Sequence, residues 1–491
     1  MTVAEWRADI TSVADAIREF HPRPFRTTSA TEFANHYDAL MADVPNLSDK
    51  ETVVRLAALV GLIDDGHTRL SIPRQHPEIG LEFGHTPTPG PEHAVLEFGQ
   101  LPLAFETFHD GVFVTAARDD LIELIGYRLV AIDETAVEDA VAAVRAITYA
   151  ENEQLEALMG ADRLTLPEAL AALGISRSAE HVTLTLVSPR GERRQHVITP
   201  MDARPFTWSS AFSHEPVPLR YQHPDKKFWS DYISDGNFVY MQMDEIADDD
   251  ISMAEFVDSS LRLAIEKSAR LVIDIRNNFG GSGGLNKTLV MSIIQSNELN
   301  QYDRTFVLIG RRTFSAAQML VNELEQYARV TLVGEPTGSR PDHFGDPKKI
   351  RLEHSGLTLR VSRLHWSSYT AFDNREATYP DFPARWTSEA YFAGRDPALE
   401  LALSLREVDL KTLLRASIPR GDLVQIGRYL LDAKRAPDTY RDEFSTVLHE
   451  LGLEFEQGGN RDSASLAYRI GLHFYPDHKE LGSALSALDS T

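Results

Sequence analysis

The chain has 491 residues, of which 43% are hydrophobic and 25% are charged. This composition is typical of an ordinary globular protein, and the length predicts about three or four structural units. The formal net charge is -24, from 49 basic and 73 acidic side chains. Such an acidic protein has no general attraction to nucleic acids or anionic membranes, so we expect neither as a partner.

The cysteine count and the N-terminal sequence restrict chemistry and location. The chain contains no cysteine, which excludes a thiol nucleophile, disulfide bonds and cysteine-ligated metal sites. The first ten residues, M-T-V-A-E-W-R-A-D-I, lack the basic and apolar regions of a secretory signal. No apolar run approaches the roughly 18 residues of a membrane span. We therefore expect a cytoplasmic protein, with secretion after removal of a signal peptide as the alternative.

Three amphipathic helices are predicted near the N-terminus, over residues 6–20, 32–41 and 51–62, because apolar side chains recur there at helical spacing. The third helix leads into I-D-D-G-H-T-R-L, residues 63–70. A glycine permits a backbone turn immediately before His67, a side chain that can act as a base or a ligand. On this pattern alone, a loop histidine bonded to its neighbours is the alternative.

Residues 111–200 alternate short β-type runs with one predicted helix. Within them, L-I-G-Y-R-L-V-A-I-D-E-T-A-V-E-D-A, residues 124–140, has the strand, turn and helix order of a PDZ-like module. Such a module can hold a peptide along a strand edge. A purely structural β domain fits the pattern equally well.

The next unit alternates strands and helices, which is typical of an α/β domain. Strands are predicted at 237–243 and 269–276, with a helix at 253–267 between them. The second strand runs into N-N-F-G-G-S-G-G, residues 277–284, where four glycines indicate a tight turn or a close approach. Free N–H groups in such a turn can bind a phosphate or a developing oxyanion. The glycine spacing matches neither a P-loop nor a dinucleotide fingerprint, which disfavours a nucleotide site.

The segment V-L-I-G-R-R-T-F-S-A-A-Q, residues 307–318, is a hydrophobic strand that breaks at Gly310 and continues as an alanine-rich helix. Ser315 lies in the turn between them. A serine at such a turn can project its hydroxyl towards the unpaired N–H groups of the first helical turn. A bound carbonyl there would meet a nucleophile and an oxyanion donor together. Serine is also a common N-cap residue, so helix capping is the alternative.

The pattern of the sequence after residue 318 predicts a strand at 330–332 and two β-type stretches, at 357–361 and around His365. It predicts helices from residue 396 onwards. Residues 448–476 predict two amphipathic helices joined at Gly458 and Gly459, similar to one tetratricopeptide unit. No second copy is clear, so we interpret this part as a helical tail.

Several of these motifs, taken in order, resemble the S41 serine peptidases over about residues 1–400. The segments that carry the resemblance are W-x-x-D-I and F-H-P-R-P near the N-terminus, I-D-D-G-H-T-R-L, D-I-R-N-N-F-G-G, T-F-S-A-A, V-G-E-P-T-G and Y-P-D-F-P. Together with the predicted elements, the resemblance implies a multidomain α/β protein. Its expected parts are an N-terminal helical region at 1–90, a PDZ-like module at 91–204, a ClpP/crotonase-like α/β catalytic domain at 205–400 and a tetratricopeptide-like tail at 401–491.

The resemblance implies that Ser315 is the nucleophile. It assigns the oxyanion hole to the backbone N–H of Ala316 and to that of Gly280 or Gly281. Backbone donors of this kind stabilise the negative charge that develops on a carbonyl oxygen under attack.

The general base differs between two branches of the family. Processing proteases use a lysine after the G-E-x-T turn, but Arg340 stands there, and a guanidinium does not accept a proton at neutral pH. The tricorn-like branch uses a histidine at the position of His67, which suits a general base. That branch places a serine before the histidine, whereas Gly66 occupies the position here. The group that orients the imidazole is therefore not identified.

Two further side chains are candidates for the site. The tricorn-like branch has an acidic residue upstream of the closing P-D motif; Asp373 and Glu376 both fall there, and we prefer Asp373. His343 is a rival base because it follows the turn that carries lysine in the other branch. A loop histidine near the cleft is the alternative for His343.

The leading hypothesis is a serine peptidase that forms an acyl-enzyme on Ser315 with His67 as the general base. It would cleave a peptide or an unfolded protein end, as an endo- or carboxypeptidase, without a metal or organic cofactor. One alternative is an inactive relative that binds a peptide or an apolar ligand in the same cleft. Another is a crotonase-type acyl-CoA enzyme, which uses backbone oxyanion donors without this serine. The oligomeric state stays open, a homo-oligomer included.

Overall fold

A computed structural model describes residues 1–75, 96–201, 207–213, 217–367, 373–435 and 444–490. The domain boundaries expected at 90/91 and 204/205 lie outside these residues, so the domain limits stay predictions. None of the helices in the described ranges is long and apolar enough to span a membrane.

Three helices open the chain, as the apolar spacing predicts. They are α1 (Val3–Phe20), α2 (Ala30–Asp43) and α3 (Asp49–Gly61). Thr2 with Glu5 begins α1 in a capping box, and Ser48 with Glu51 does the same for α3, which satisfies N–H groups that a helix start leaves unpaired. A loop that contains His67 then leads to the two-residue strand β1 (Arg69–Leu70).

An antiparallel sheet with three helices follows. Its elements are β2 (Leu103–Phe108), β3 (Gly111–Arg118), β4 (Arg128–Ile132), β5 (Thr135–Ala136), α4 (Val137–Val144), α5 (Glu153–Arg163), α6 (Pro167–Ala172), β6 (Val182–Val187), β7 (Arg193–Ile198) and β8 (Trp208–Ser210). The main strands are ordered β2-β3-β4-β6-β7, with β5 beside β4 and β8 beside β3. The predicted strand, turn and helix order is present in β4, β5 and α4; the PDZ-like assignment stays a prediction.

The prediction of a single helix in this region is wrong, because α5 and α6 are also helical. Six consecutive residues of α5, 158–163, are buried. A helical segment that is covered on all sides, as this second half of α5 is, lacks the apolar stripe from which amphipathic helices are predicted.

The α/β domain alternates strands and helices as predicted. Its first elements are β9 (Phe228–Ile233), β10 (Phe238–Met243), α7 (Met253–Glu266), β11 (Arg270–Asp274), α8 (Asn286–Gln295), β12 (Thr305–Ile309), α9 (Ala316–Tyr327) and β13 (Thr331–Gly334). Every residue of β11, β12 and β13 is buried, which explains why these strands read as continuous apolar runs.

Short strands and helices complete this domain. They are β14 (His343–Gly345), β15 (Lys348–Arg351), β16 (Thr358–Val361), β17 (Leu364–Trp366), β18 (Phe382–Pro383), α10 (Ser388–Phe392) and α11 (Pro397–Ser404). The central sheet has the order β18-β13-β12-β11-β10-β9, and all neighbouring pairs are parallel except β10 with β9. Because β11 and β12 are parallel neighbours, the turns after their carboxyl ends lie side by side.

Strand β1 ties the N-terminal region to the α/β domain. It pairs with β16 in antiparallel register, with Arg69 opposite Arg360. The helices α1 and α3 share a hydrophobic core with Leu359 and Val361 of β16. This pairing brings the loop before β1, and therefore His67, to the edge of the α/β domain.

The tail consists of α12 (Leu410–Ser417), α13 (Leu423–Arg435), α14 (Phe444–Gln457), α15 (Arg461–Phe474) and α16 (Lys479–Asp489). The helices α14 and α15 meet at Gly458 and Gly459, as predicted. The tail shares a core with Phe306 and Leu308 of β12. Asp381 of the Y-P-D-F-P motif anchors it further, since this buried carboxylate accepts hydrogen bonds from Gln425 and Tyr429. The tail is thus packed on the α/β domain.

Candidate active site

Ser315 occupies a strained turn between β12 and α9. Its backbone has φ 56° and ψ -122°, a region that non-glycine residues seldom adopt and that costs about 1–3 kcal/mol. The turn is braced by Thr313, whose hydroxyl donates to the Ile275 carbonyl at 3.0 Å. The serine stands at the N-cap position but makes no side-chain capping bond. Its hydroxyl is therefore turned towards another partner.

That partner is His67. The His67 Nε2 and Ser315 Oγ atoms are 2.9 Å apart, although the residues are 248 positions apart in the chain. The imidazole stacks on Phe314, with ring centroids 4.4 Å apart. A Cβ atom on Gly66 would lie 2.7 Å from the Phe314 ring, so the serine found there in the tricorn-like branch does not fit this packing.

Asp65 lies behind His67 and was not among the candidates from the sequence. Its side chain is fully buried and accepts the backbone N–H of His67 at 3.0 Å. Its other oxygen lies 3.2 Å from His21 Nε2 and 2.6 Å from the Ser362 hydroxyl. Burial alone would raise the pKa of Asp65, but the hydrogen bond from His21 and the electrostatic interactions with His67 and His21 hold it well below its ordinary value. The carboxylate two positions before the histidine in I-D-D-G-H-T was the signal available in the sequence.

His67 is neutral in this environment. Burial lowers the pKa of His67 to about 3, and the neighbouring His343, Arg69 and Arg360 act in the same direction, whereas Asp65 acts against them. A neutral imidazole with Nε2 facing a hydroxyl can accept the hydroxyl proton.

A second buried carboxyl, Glu151, lies within electrostatic reach of Asp65 and was also missed from the sequence. It accepts a hydrogen bond from the Ser339 hydroxyl. Burial, together with the negative charge of Asp65, raises the pKa of Glu151 to about 8. Glu151 is therefore mainly protonated at neutral pH, and Asp65 carries the negative charge.

The glycine turn lies directly against Ser315. A Cβ on Gly280 would approach Ser315 Cβ to 2.7 Å and Ala316 N to 2.8 Å, and one on Gly281 would approach the Ile246 carbonyl oxygen to 2.3 Å. The Gly280 N–H donates to Asn278 Oδ1 at 2.8 Å. In the described part of the chain, no hydrogen bond uses the N–H of Gly281 or of Ala316. Of the two glycine amides predicted from the sequence, that of Gly280 is thus engaged, whereas that of Gly281 makes no hydrogen bond among the described residues.

The strand before this turn is held by buried ion pairs. Arg276 donates to Asp396 Oδ1 and Oδ2, at 2.7 Å each, and to Asp274. Tyr240 also donates to Asp274, at 2.5 Å. These contacts agree with the interpretation of Asp274 and Arg276 as structural partners of the loop.

The two acidic candidates, Asp373 and Glu376, bind arginine side chains and not the pair formed by His67 and Ser315. Asp373 is 5% exposed and accepts hydrogen bonds from Arg375, at 3.0 Å from Nε and 2.9 Å from Nη2. Arg375 in turn binds Glu325. Glu376 is 61% exposed and pairs with Arg340 at 2.5 Å. No hydrogen bond joins Asp373 or Glu376 to His67 or Ser315 among the residues that the structure describes.

His343 lies beside His67 without contacting Ser315 in the described structure. The two imidazole rings are nearly parallel, at 14°, with centroids 6.1 Å apart. His343 Nδ1 is 3.1 Å from the Arg340 carbonyl oxygen, so this nitrogen donates. Burial lowers the pKa of His343 to about 4. His343 is a neutral neighbour of the candidate base.

Comparison with known proteins identifies the fold. No family model and no curated protein sequence matches the chain. The structure of mature CPAF complexed with lactacystin matches at 13% identity over 84% of this chain and 99% of that chain, with a TM-score of 0.52. A second structure of mature CPAF matches over 86% and 98%, at 13% identity and a TM-score of 0.51. The photosystem II D1 C-terminal processing protease matches over 83% and 98%, at 15% identity and a TM-score of 0.38.

At these identities the likeness concerns the fold, and it extends over most of each chain. This chain therefore has the fold of mature CPAF over most of its length.

Proposed function

We propose that the protein is an S41-type serine peptidase with Ser315 as nucleophile and His67 as general base. The observation that carries the proposal is the 2.9 Å contact between His67 Nε2 and Ser315 Oγ. It joins a neutral imidazole to a hydroxyl on a strained turn that makes no capping bond. Strained backbone that the surrounding structure maintains is often associated with function.

The geometry supports acyl transfer in two halves. Ser315 Oγ attacks the carbonyl carbon of a peptide bond while its proton passes to His67 Nε2. The N–H groups of Ala316 and Gly281 stabilise the oxyanion. The C–N bond then breaks, and His67 returns the proton to the leaving amine. In the second half, His67 takes a proton from water, whose oxygen attacks the ester carbonyl. The bond between the acyl carbon and Ser315 Oγ then breaks, His67 Nε2 returns the proton to Oγ, and the carboxylic acid product leaves.

The proposed substrate is a peptide or an unfolded segment of a protein. These steps use only the imidazole, the hydroxyl and backbone amides of this chain, so the proposal includes no metal or organic cofactor. The inactive alternative is not favoured, because a binding protein has no need of a serine hydroxyl aligned with a neutral histidine.

A fluorophosphonate probe tests the proposal directly. We expect wild-type protein to be labelled on Ser315, with loss of fluoride, and Ser315→Ala to be unlabelled. His67→Ala should lower the labelling rate at least about 100-fold, since general-base catalysis contributes roughly that much. His473→Ala, an exposed histidine of α15, is the matched control. Absence of label on wild-type Ser315 would contradict the proposal, and a loss with His343→Ala but not with His67→Ala would assign the base to His343.

The pH dependence of labelling follows from the low pKa of His67. The base form is the neutral one, and its pKa is lowered from 6.5 to about 3. We therefore expect the labelling rate of Ser315 to remain near its neutral-pH value down to about pH 5. The measurement is the initial labelling rate against pH, with short incubations and a parallel melting curve. A half-maximal rate between about pH 6 and 7 would show an ordinary histidine and refute the expectation.

A further inference from the structure

The proposed mechanism leaves the other ring nitrogen of His67 unexplained. Nε2 can accept the serine proton only if Nδ1 carries the ring hydrogen of the neutral form. Nδ1 is buried and has no hydrogen-bond partner among the described residues. Asp65 Oδ1 lies 4.0 Å from it. Asp373, which the family resemblance suggests, instead binds Arg375.

Asp65 is built into the structure as a fixed anion. It accepts four hydrogen bonds: one from the His67 backbone N–H, one from His21 Nε2, and one each from the hydroxyls of Thr68 and Ser362. Two of the donors, His21 and Ser362, come from distant parts of the chain. The carboxylate therefore cannot change position without disturbing three separate segments.

We propose that Asp65, held by His21 and Ser362, is the positioning residue that orients the His67 imidazole and stabilises its protonated form. The inference rests on the proposed function. In the tricorn-like branch, the resemblance suggests that the serine before the histidine and a distant acidic residue orient the imidazole. Here we assign that role to a carboxylate two residues before the base.

Two contributions follow from this position. The hydrogen bond to the His67 backbone N–H fixes the loop, and the negative charge favours the tautomer with its hydrogen on Nδ1. When the serine proton reaches Nε2, the ring becomes positive 4.0 Å from the carboxylate oxygen. Burial and the groups His343, Arg69 and Arg360 all oppose that charge, whereas Asp65 favours it. The carboxylate therefore stabilises the transition state more than the resting state.

The test is the kinetics of fluorophosphonate labelling at Ser315, with the covalent rate constant kinact separated from the binding constant KI. We expect Asp65→Asn to lower kinact at least about 100-fold with little change in KI, because the amide keeps the size of the carboxylate but removes its charge. A merely structural role would change KI and the melting temperature instead. Asp9→Asn is the matched control, since Asp9 is a buried carboxylate that accepts backbone N–H groups of His354 and Ser355.

Milder variants keep the test decisive if Asp65→Asn does not fold. Ser362→Ala and His21→Gln each weaken the support of Asp65 and leave its charge in place. We expect each to lower kinact at least about threefold with KI unchanged, since a single hydrogen bond to a charged group is affected. Wild-type kinact in a folded Asp65→Asn protein, or in both milder variants, would overturn the inference. An unlabelled wild-type Ser315 would instead overturn the proposed function.

Discussion

Gly280→Ala is expected to lower the labelling rate of Ser315 at least about 100-fold, an effect comparable to the loss of an oxyanion-hole donor. The added Cβ would lie 2.7 Å from Ser315 Cβ and 2.8 Å from Ala316 N. Gly280 also has φ +107°, which an alanine adopts only under strain. Either Ser315 or the glycine turn must move, and each movement separates Ser315 from the oxyanion donors proposed above. The rate is measured with a fluorophosphonate at a fixed concentration.

The same turn provides a matched control for this prediction. Gly284 has no atom within 4 Å of the position of an added Cβ, and its φ does not lie in the left-handed region. Gly284→Ala should therefore be labelled at close to the wild-type rate. Equal labelling of the Gly280→Ala and wild-type proteins would contradict the close approach of the glycine turn to the nucleophile.

Arg276→Met is expected to destabilise the α/β domain by about 3–5 kcal/mol, because it leaves buried carboxylates without their partner. The Arg276 side chain is 5% exposed, and those of Asp274 and Asp396 are 2% and 8% exposed. Since Asp274 ends β11 and Asp396 precedes α11, the loss affects both the strand before the glycine turn and the chain that leads to the tail. The measurement is the urea concentration at the midpoint of unfolding.

An exposed ion pair provides the control for the Arg276→Met variant. Arg262 pairs with Asp258 on the surface of α7, where the side chains are 64% and 66% exposed. Arg262→Met should cost about 0.5 kcal/mol or less. The triple variant Asp274→Asn, Arg276→Met, Asp396→Asn should recover part of the lost stability, since no unpaired charge remains. A loss of under about 1 kcal/mol for Arg276→Met alone would show that the carboxylates find other partners.

Local sequence patterns were sufficient for the framework that carries the site. The strands β10, β11 and β12 are recognisable because burial on both faces requires continuous apolar runs. The glycine turn and the turn at Ser315 are recognisable because only particular residues tolerate such backbone. These features depend on neighbours a few residues apart. The second half of α5 is an exception, since all of residues 158–163 are buried and no apolar stripe marks the helical period there.

The sequence by itself determined the order of elements in the α/β domain and, through the motif resemblance, the choice of Ser315 and His67 as candidates. Only the tertiary structure decided that these two side chains meet. They are 248 positions apart in the chain, and the pairing of β1 with β16 places His67 next to Ser315. It also decided that Asp65, and not Asp373, lies beside His67, and that Arg375 pairs with Asp373. Which buried charge meets which partner depends on the packing of segments distant in the chain, and no local pattern encodes that choice.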